Sequence, residues 1–184
     1  MTPGENAGKI GLTSADEREA ALYRRLAALA IAWTTHAHMP VFTVEEARAA
    51  RVEHLPGTHT KNLFLESKKG GLFLVVARED LRLDLNALAR ALGVSRFSFG
   101  KTELLMEVLG IAPGAVSPFA LMNDSNLRVR AIVDEGMLAR DPLNFHPLRN
   151  DRTTAIVAAD LLRFMRDTGH EPLVMKLPER ASGE

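Results

Sequence analysis

The chain contains no cysteine in its 184 residues. This absence excludes disulfides, thiolate metal sites and thiol nucleophiles. It also lacks an excess of either charge, because 23 lysines and arginines balance 23 aspartates and glutamates. The protein as a whole therefore has no field that attracts a polyanion, and any contact with nucleic acid must be local.

Membrane and export signals are also missing. The first residues have neither the basic n-region nor the apolar h-region of a secretory signal. The longest apolar run, Leu26 to Trp33, is too short to cross a bilayer. We therefore expect a soluble cytoplasmic protein with no membrane partner.

Common cofactor and nucleophile motifs are not found. The sequence has no G-x-G-x-x-G fingerprint and no G-x-S-x-G elbow. Gly100-Lys101-Thr102 resembles the end of a phosphate-binding loop, but Ser95 stands where that motif needs glycine, so a helix N-terminus is favoured. His36 and His38 lack the further ligands that a metal requires. We expect no metal and no cofactor.

The length and the 46% hydrophobic content fit one compact domain. We assign it to residues 14–177, after a Gly-rich segment 1–13 that we expect to be disordered and before a C-terminal tail, 178–184. Caps and apolar spacing predict helices that begin at Ser14 and Thr43, and helices over 85–92, 102–108 and 160–168. Strands are predicted over 63–66, 72–77, 119–122, 128–133 and 173–177. This order favours an α+β fold around a mixed sheet.

The first helix is predicted in more detail than the others. Ser14 and Glu17 form a capping box, and an apolar stripe runs along Leu22, Leu26, Leu29 and Trp33. At the other end of the chain, His170 follows Gly169 at a helix end. There we expect a structural role, in contact with the last carbonyls of the helix.

Lys61 and Asn62 stand just before the predicted hairpin strand 63–66, behind two hydroxyl residues. A lysine there offers three donors and a positive charge that suit a phosphate. The ordinary alternative is a solvated surface lysine. The stretch from Arg48 to Lys69 also holds a local basic excess, and a solvated surface is the commoner meaning of such a run.

Two later segments have the composition of site loops. One loop runs through Gly114, Ala115, Val116, Ser117 and Pro118. It begins with a permissive residue and ends with a rigid one, so it can aim backbone N–H groups at an oxyanion, although an ordinary connecting loop has the same composition. His146 lies between Phe145 and Pro147, which restricts its orientation, and a hydrogen-bonded core histidine is an equal alternative.

Five segments in order resemble one known family. They are residues 40–47, residues 55–65 with Thr-Lys-Asn-Leu-Phe-Leu, residues 113–118, the Asn-Phe-His-Pro of 144–147 and the Gly-His-Glu-Pro of 169–172. From about Met39 to Leu177 the chain is similar to the YbaK/ProX family of trans-acting aminoacyl-tRNA deacylases, which is related to the editing domain of bacterial prolyl-tRNA synthetases. The N-terminal helix and the Thr-Lys-Asn-Leu-Phe-Leu pattern resemble the ProX branch.

The resemblance implies an α+β domain with a curved mixed β-sheet wrapped by helices. It places the family's essential lysine on Lys61, its G-x-x-x-P loop on Gly114 and Pro118, and its pocket histidine on His146. Asn62 matches the accompanying amide. It implies hydrolysis of the mischarged ester Ala-tRNA(Pro), with aminoacylated tRNA as partner and prolyl-tRNA synthetase as a second candidate partner. The tRNA contacts would then fall on Arg48, Arg51, Lys68 and Lys69.

Three other functions stay open at this point. The first is deacylation of cysteinyl- or seryl-tRNA by the same family chemistry, which differs only in pocket volume. The second is a catalytically silent tRNA-binding module. The third is a small-molecule hydrolase that acts on simple alanine esters without RNA.

Overall fold

A computed structural model describes residues 14–40 and 55–180. The helices in this part of the chain are α1 (Ala15–Ala28), α2 (Leu85–Ala91), α3 (Thr102–Leu109) and α4 (Ala158–Asp167), with two 3-10 helices, η1 (Pro118–Asn123) and η2 (Glu135–Met137). The strands are β1 (Thr34–Ala37), β2 (Thr58–Ser67), β3 (Leu72–Arg78), β4 (Phe97–Phe99), β5 (Val129–Asp134), β6 (Leu143–Phe145), β7 (Arg152–Ile156) and β8 (Leu173–Met175).

The strands form one mixed sheet in the order β1-β7-β6-β2-β3-β5-β8. The long strand β2 pairs with β3 along one edge, and its other edge is shared between β6 at the start and β4 at the end. β2 runs parallel to β6, and β3, β5 and β8 run parallel to one another. The predicted mixed sheet with helices is confirmed.

Side-chain alternation along β2 and β3 divides the core between the two faces of the sheet. Phe64 and Leu74 belong to a large apolar cluster that also holds residues of α1, α3, η1 and α4. Leu65 and Val75 point the other way, into a smaller cluster with residues of α2. Each face of the central strands is therefore covered, which explains why β3 is buried at six consecutive positions.

The capping box and the hairpin are confirmed. Ser14 and Glu17 exchange hydrogen bonds at the start of α1, but the helix ends at Ala28, so Trp33 lies beyond it. Strand β2 begins at Thr58, and Lys61 therefore lies inside the strand rather than ahead of it.

The strand predicted over 119–122 is wrong, because these residues belong to η1. Ser117 accepts a hydrogen bond from the backbone N–H of Phe119, and Pro118 has the backbone angle of a first helical residue. The Ser117 cap and the proline at the first helical position favour a helix more strongly than the four apolar residues favour a strand. Strands β1, β4, β6 and β7 were not predicted.

Several predictions lie outside the described residues. These are the disordered segment 1–13, the helix that begins at Thr43, and the last four residues of the tail. The tail is part of the fold up to Arg180, because Glu179 forms a β-bridge with Leu83. Within the two described ranges, no helix has the length and apolarity that a membrane crossing requires.

Candidate active site

One side of the sheet carries a group of polar residues across β1, β7, β6 and β2. The register pairs His59 with Asn144, Asn144 with Ala155, and Ala155 with Thr34, so these residues form one row across the four strands. Side chains alternate with a period of two, and the next positions on the same side form a second row. In that second row His36 pairs with Thr153, and continuing the same register by two residues adds His146 and Lys61. We call the side chains of His36, His38, Lys61, Asn144, His146 and Thr153 the polar face.

Lys61 is half-buried at the end of this face that is nearest to β3. Its Nζ donates hydrogen bonds to the backbone carbonyls of Glu79, at 3.1 Å, and Leu81. The ammonium group is thus tied to the segment that follows β3. These bonds place a positive charge at a defined position instead of leaving it on a mobile stem.

His146 follows β6 on the same side of the sheet as Lys61. Its Nδ1 lies 2.9 Å from the backbone carbonyl oxygen of Arg152. A carbonyl can only accept, so Nδ1 carries the hydrogen and, in the neutral ring, Nε2 carries a lone pair. Burial lowers the pKa of His146 below its usual 6.5, and His38 acts in the same direction. The site therefore presents a neutral imidazole at neutral pH.

His38 is a second imidazole at the same place, with its ring centre 6.0 Å from that of His146. Its Nδ1 lies 2.7 Å from the carbonyl oxygen of Met39, and its Nε2 lies 2.9 Å from the hydroxyl of Thr153. From the sequence, we considered His36 and His38 only as metal ligands. Their spacing of two residues, typical of one face of a strand, was the signal for this placement. The described residues include no group of three or more His, Cys, Asp or Glu that could hold a metal ion.

Asn144 is the most buried residue of the polar face. Its Nδ2 donates to the carbonyl of Pro56 at 3.2 Å, whereas its Oδ1 is buried and has no hydrogen-bond partner in the described structure. Asn144 and His36 line a cavity of about 250 Å³ whose other walls include Trp33 and Pro142. A buried acceptor of this kind is suited to an N–H or O–H group of a ligand.

Asn62 points to the opposite side of the sheet from Lys61, because the two are neighbours on one strand. Its register partner is Val76, which belongs to the large apolar cluster. The Oδ1 of Asn62 is also buried without a partner among the described residues. The structure thus separates two residues that are adjacent in sequence.

The loop from Gly114 to Pro118 leads into η1. Gly114 has a φ of +86°, a conformation that favours glycine. Ala115 and the partly buried Val116 pack with the large apolar cluster, and Ser117 and Pro118 are buried, so the loop packs on the side opposite Lys61.

The loop is connected to the polar face through the aromatic core. Phe119, which follows the loop, lies edge-on to Phe145 with ring centres 5.7 Å apart, and His146 is the next residue in the chain.

The basic candidates lie away from this face. Lys68 and Lys69 are exposed in the turn between β2 and β3. Seven residues of strand separate Lys68 from Lys61, which corresponds to about 23 Å. Arg48 and Arg51 lie outside the described residues.

Comparisons with known proteins agree on one family. The family model for the aminoacyl-tRNA editing domain matches residues 38–164. The chain is 38% identical over 164 residues to prolyl-tRNA synthetase associated domain-containing protein 1 of Bos taurus, covering 86% of this chain and 95% of that protein. It is 33% identical over 151 residues to the prolyl-tRNA editing protein ProX of Acetoanaerobium sticklandii, covering 82% and 92%.

A solved structure shows the same fold. A crystal structure described as a candidate trans-editing enzyme for prolyl tRNA synthetase superposes with a TM-score of 0.66 at 24% identity, covering 91% of this chain and 99% of that one. The similarity in sequence and fold thus extends over most of the chain.

Proposed function

Because this chain belongs to the aminoacyl-tRNA editing domain family, we propose that it is a trans-editing hydrolase that removes alanine from mischarged Ala-tRNA(Pro). The proline tRNA is supported by the names of two relatives, which refer to prolyl-tRNA editing and to prolyl-tRNA synthetase. We propose aminoacylated tRNA as the partner that the protein must bind, with prolyl-tRNA synthetase as a candidate source of the substrate.

The observation that carries this proposal is the placement of Lys61 and His146 on one side of the sheet. Lys61 supplies a positive charge held by two backbone carbonyls. His146 supplies a neutral ring whose Nδ1–H is already bound, which leaves the lone pair of Nε2 for a ligand. The ammonium group of Lys61 can bind a phosphate, and the Nε2 lone pair of His146 can accept from an ammonium or hydroxyl group. A ligand that carries both groups side by side would suit this pair of side chains.

An aminoacyl ester is already activated, so hydrolysis needs only a positioned water and a stabilised oxyanion. In the proposed reaction the water oxygen bonds to the ester carbonyl carbon, the bond to the ribose oxygen breaks, and a proton from the water passes to that oxygen. Lys61 binds a phosphate near the tRNA terminus. The vicinal ribose hydroxyl helps to activate the water.

The loop from Gly114 to Ser117 was the expected source of backbone N–H donors for the ester carbonyl. Its residues pack with the large apolar cluster on the side of the sheet opposite Lys61, and Asn62 points to that side too. In the proposed reaction this loop, Asn62 and Pro118 therefore have no contact with a substrate bound at Lys61. His146 would shape the pocket and orient the substrate.

Selectivity for alanine follows from size. One additional methylene changes binding by only about 1–3 kcal/mol, but a steric clash can exclude the larger proline from a second site altogether. Alanine would enter the pocket and proline would not. The same argument admits cysteine or serine in a pocket of slightly larger volume.

The test is the release of amino acid from alanyl-tRNA(Pro), with prolyl-tRNA(Pro) as the control substrate. We expect the wild type to release alanine and to spare proline, Lys61→Ala to lose most of this activity, and Lys101→Ala, which changes an exposed lysine ahead of α3, to keep it. Circular dichroism must show that Lys61→Ala is folded, because Lys61 also holds the segment after β3. Full activity of a folded Lys61→Ala variant would refute the assignment.

The same assay separates the other functions. Release of cysteine or serine in preference to alanine would indicate the sister specificity. Binding of tRNA without any release would indicate a silent module. Hydrolysis of alanine methyl ester at the rate of the alanyl-tRNA would indicate a small-molecule hydrolase.

A further inference from the structure

Six basic side chains lie on the part of the surface formed by α2 and the segments around it. All six are exposed. They are Lys68, Lys69, Arg82, Arg90, Arg96 and Arg180, and we call them the α2 surface. Four of them, the arginines, were not among the tRNA-contact candidates from the sequence, because they are spread over almost 100 residues of chain.

Backbone contacts bring four of these residues together in two pairs. The N–H of Lys68 donates to the carbonyl of Arg96 at 3.3 Å, and the N–H of Arg180 donates to the carbonyl of Arg82 at 2.8 Å. Between these two pairs lies α2, with Arg90 in its last turn. The surface therefore extends along the whole length of β3, about 20 Å.

These cations are not neutralised by ion pairs. In the described part of the chain, none of the six forms a salt bridge, whereas Arg128, Arg163 and Arg166 each pair with a carboxylate within 3.0 Å. Two carboxylates lie among the six. Asp84 is engaged at the N-terminus of α2, where its side chain accepts from the N–H of Ala87 at 2.9 Å.

The second carboxylate, Glu179, accepts from the backbone N–H of Arg82 at 3.4 Å. Both acids are thus bound to backbone, and neither forms a salt bridge with a guanidinium group of the α2 surface. The pKa of Asp84 is lowered mainly by its hydrogen bond from the N–H of Ala87 and, to a lesser degree, by the charges of Arg90 and Arg180. The surface retains a local excess of positive charge in a protein that has no net charge.

The α2 surface adjoins the side chain of Lys61. Lys61, Leu63 and Leu65 alternate onto the side of β2 that α2 covers, and Leu63 packs with the apolar cluster of α2. The Nζ of Lys61 donates to the carbonyl of Leu81, the residue before Arg82. The polar face and the α2 surface thus lie on the same side of the sheet and meet at Lys61.

We infer that the α2 surface binds the phosphate backbone of the tRNA acceptor stem while the 3' end lies at Lys61. This inference rests on the proposed function. Exposed, unpaired arginines in a row are suited to phosphates, because each guanidinium presents a planar set of donors that matches phosphate oxygens. Sequence-independent contacts of this kind release counterions and make the affinity dependent on salt.

The experiment measures binding of uncharged tRNA(Pro) by fluorescence anisotropy at several salt concentrations. The test variants are Arg82→Glu/Arg180→Glu and Arg90→Glu/Arg96→Glu. The matched control is Arg24→Glu/Lys101→Glu, which reverses two exposed cations on α1 and ahead of α3, on the opposite side of the sheet. We expect each test variant to bind at least about tenfold more weakly and to flatten the slope of log K against log salt by one to two.

The control variant should stay within about twofold of the wild type in the same assay, since its changes lie outside the phosphate path. Equal losses in test and control variants would mean that only net charge matters, and wild-type binding by the test variants would mean that the RNA lies elsewhere. Either result overturns the inference.

Hydrolysis of alanyl-CCA by Arg90→Glu/Arg96→Glu separates this inference from the proposed function, because these two arginines lie farther along the α2 surface from Lys61 than Arg82 does. An Arg90→Glu/Arg96→Glu variant that hydrolyses alanyl-CCA normally but binds tRNA weakly supports both. A wild type that binds tRNA through the α2 surface but hydrolyses neither substrate would refute the proposed function alone. Normal hydrolysis together with wild-type tRNA binding by every variant would refute the inference alone.

Discussion

The Nδ1 of His146 donates to the backbone carbonyl of Arg152 at 2.9 Å, across the turn that joins β6 to β7. The turn therefore determines the direction of the imidazole ring and which nitrogen carries the hydrogen. Any change that moves the turn should move the ring with it. This link connects the candidate active site to the ion pairs that hold the turn.

Acid should destabilise the protein through His146. Burial lowers the pKa of this imidazole in the folded state, whereas the unfolded chain has the usual value of 6.5. Below that value the unfolded chain binds the proton more readily, so the free energy of unfolding falls as the pH drops from about 6.5 to the lowered folded pKa. We expect His146→Gln to lose less stability over this range than the wild type.

Urea unfolding at pH 8, 7, 6 and 5 measures this effect. At pH 8 the ring is neutral in both states, so the difference between the two proteins there gives only the loss of the hydrogen bond and packing. That difference is subtracted from the values at lower pH. Parallel stability curves for wild type and His146→Gln would contradict the prediction.

Arg149 should be essential to the position of the β6–β7 turn. Its guanidinium group donates to both carboxylate oxygens of Asp151 and also to Asp16 and Glu19 on α1. Glu19 is only 6% exposed, so removing its partner leaves a buried carboxylate with less compensation. We expect Arg149→Ala to lower the free energy of unfolding by about 1–3 kcal/mol.

Arg166→Ala is the matched control for Arg149→Ala. Arg166 pairs with Glu171 at the surface, where both side chains are more than half exposed, so its loss should cost no more than about 0.5 kcal/mol. Arg149→Lys should not restore stability, because an ammonium group cannot make the two parallel bonds to Asp151. Two-dimensional NMR of the His146 ring would show whether the ring moves with the turn. An unchanged His146 signal in Arg149→Ala would contradict the link.

Gly57 should tolerate no side chain. Its φ is +106°, and an added Cβ would lie 2.2 Å from the carbonyl oxygen of Pro142. That oxygen also accepts from the N–H of Thr58 at 2.8 Å, so it cannot withdraw without breaking the start of the β2–β6 pairing. We expect Gly57→Ala to lower the free energy of unfolding by at least about 2 kcal/mol.

Gly70→Ala separates backbone strain from the clash at Gly57. Gly70 also has a positive φ, of +82°, but an added Cβ there meets nothing within 4 Å. Gly70→Ala should lower the free energy of unfolding by about 1 kcal/mol, from the left-handed conformation alone. Thermal or denaturant unfolding of the two variants gives the comparison. If both lost the same stability, the contact with Pro142 would be unimportant.

The elements that were predicted from sequence are those with local signals. The capping box at Ser14, the cap of α2 at Asp84 and the turn between β2 and β3 each depend on a few neighbouring residues. The strands that were missed have three to five residues and owe their existence to partners far away in sequence. β1, for example, pairs with β7 more than 100 residues later.

In the candidate site, too, some features were predicted from local signals and others depend on distant partners. Lys61 and His146 were identified from residue type and from the family resemblance, and the register then placed them on one side of the sheet. Asn62 and the loop at Gly114 were expected to join them, but strand alternation and burial place the side chain of Asn62 and the packing of the loop on the other side. Which side of a strand faces a site depends on the long-range pairing, which one sequence does not reveal.

His170 was expected to be structural and in contact with the last carbonyls of its helix. Its backbone N–H does donate to the carbonyl of Met165 in the last turn of α4, at 3.1 Å, whereas its side chain binds outside the helix. Its Nε2 lies 3.1 Å from Oδ2 of Asp124, and that same oxygen accepts from the buried N–H of Val129 at 2.8 Å. Asp124→Ala leaves both donors buried without an acceptor, so we expect a loss of about 2–4 kcal/mol in the free energy of unfolding. Asp124→Asn keeps an acceptor oxygen at this place and should recover most of the loss, as measured by urea unfolding. Equal stability of Asp124→Ala and the wild type would mean that solvent replaces the carboxylate at both donors, and α4 would then be held to β5 by apolar packing alone.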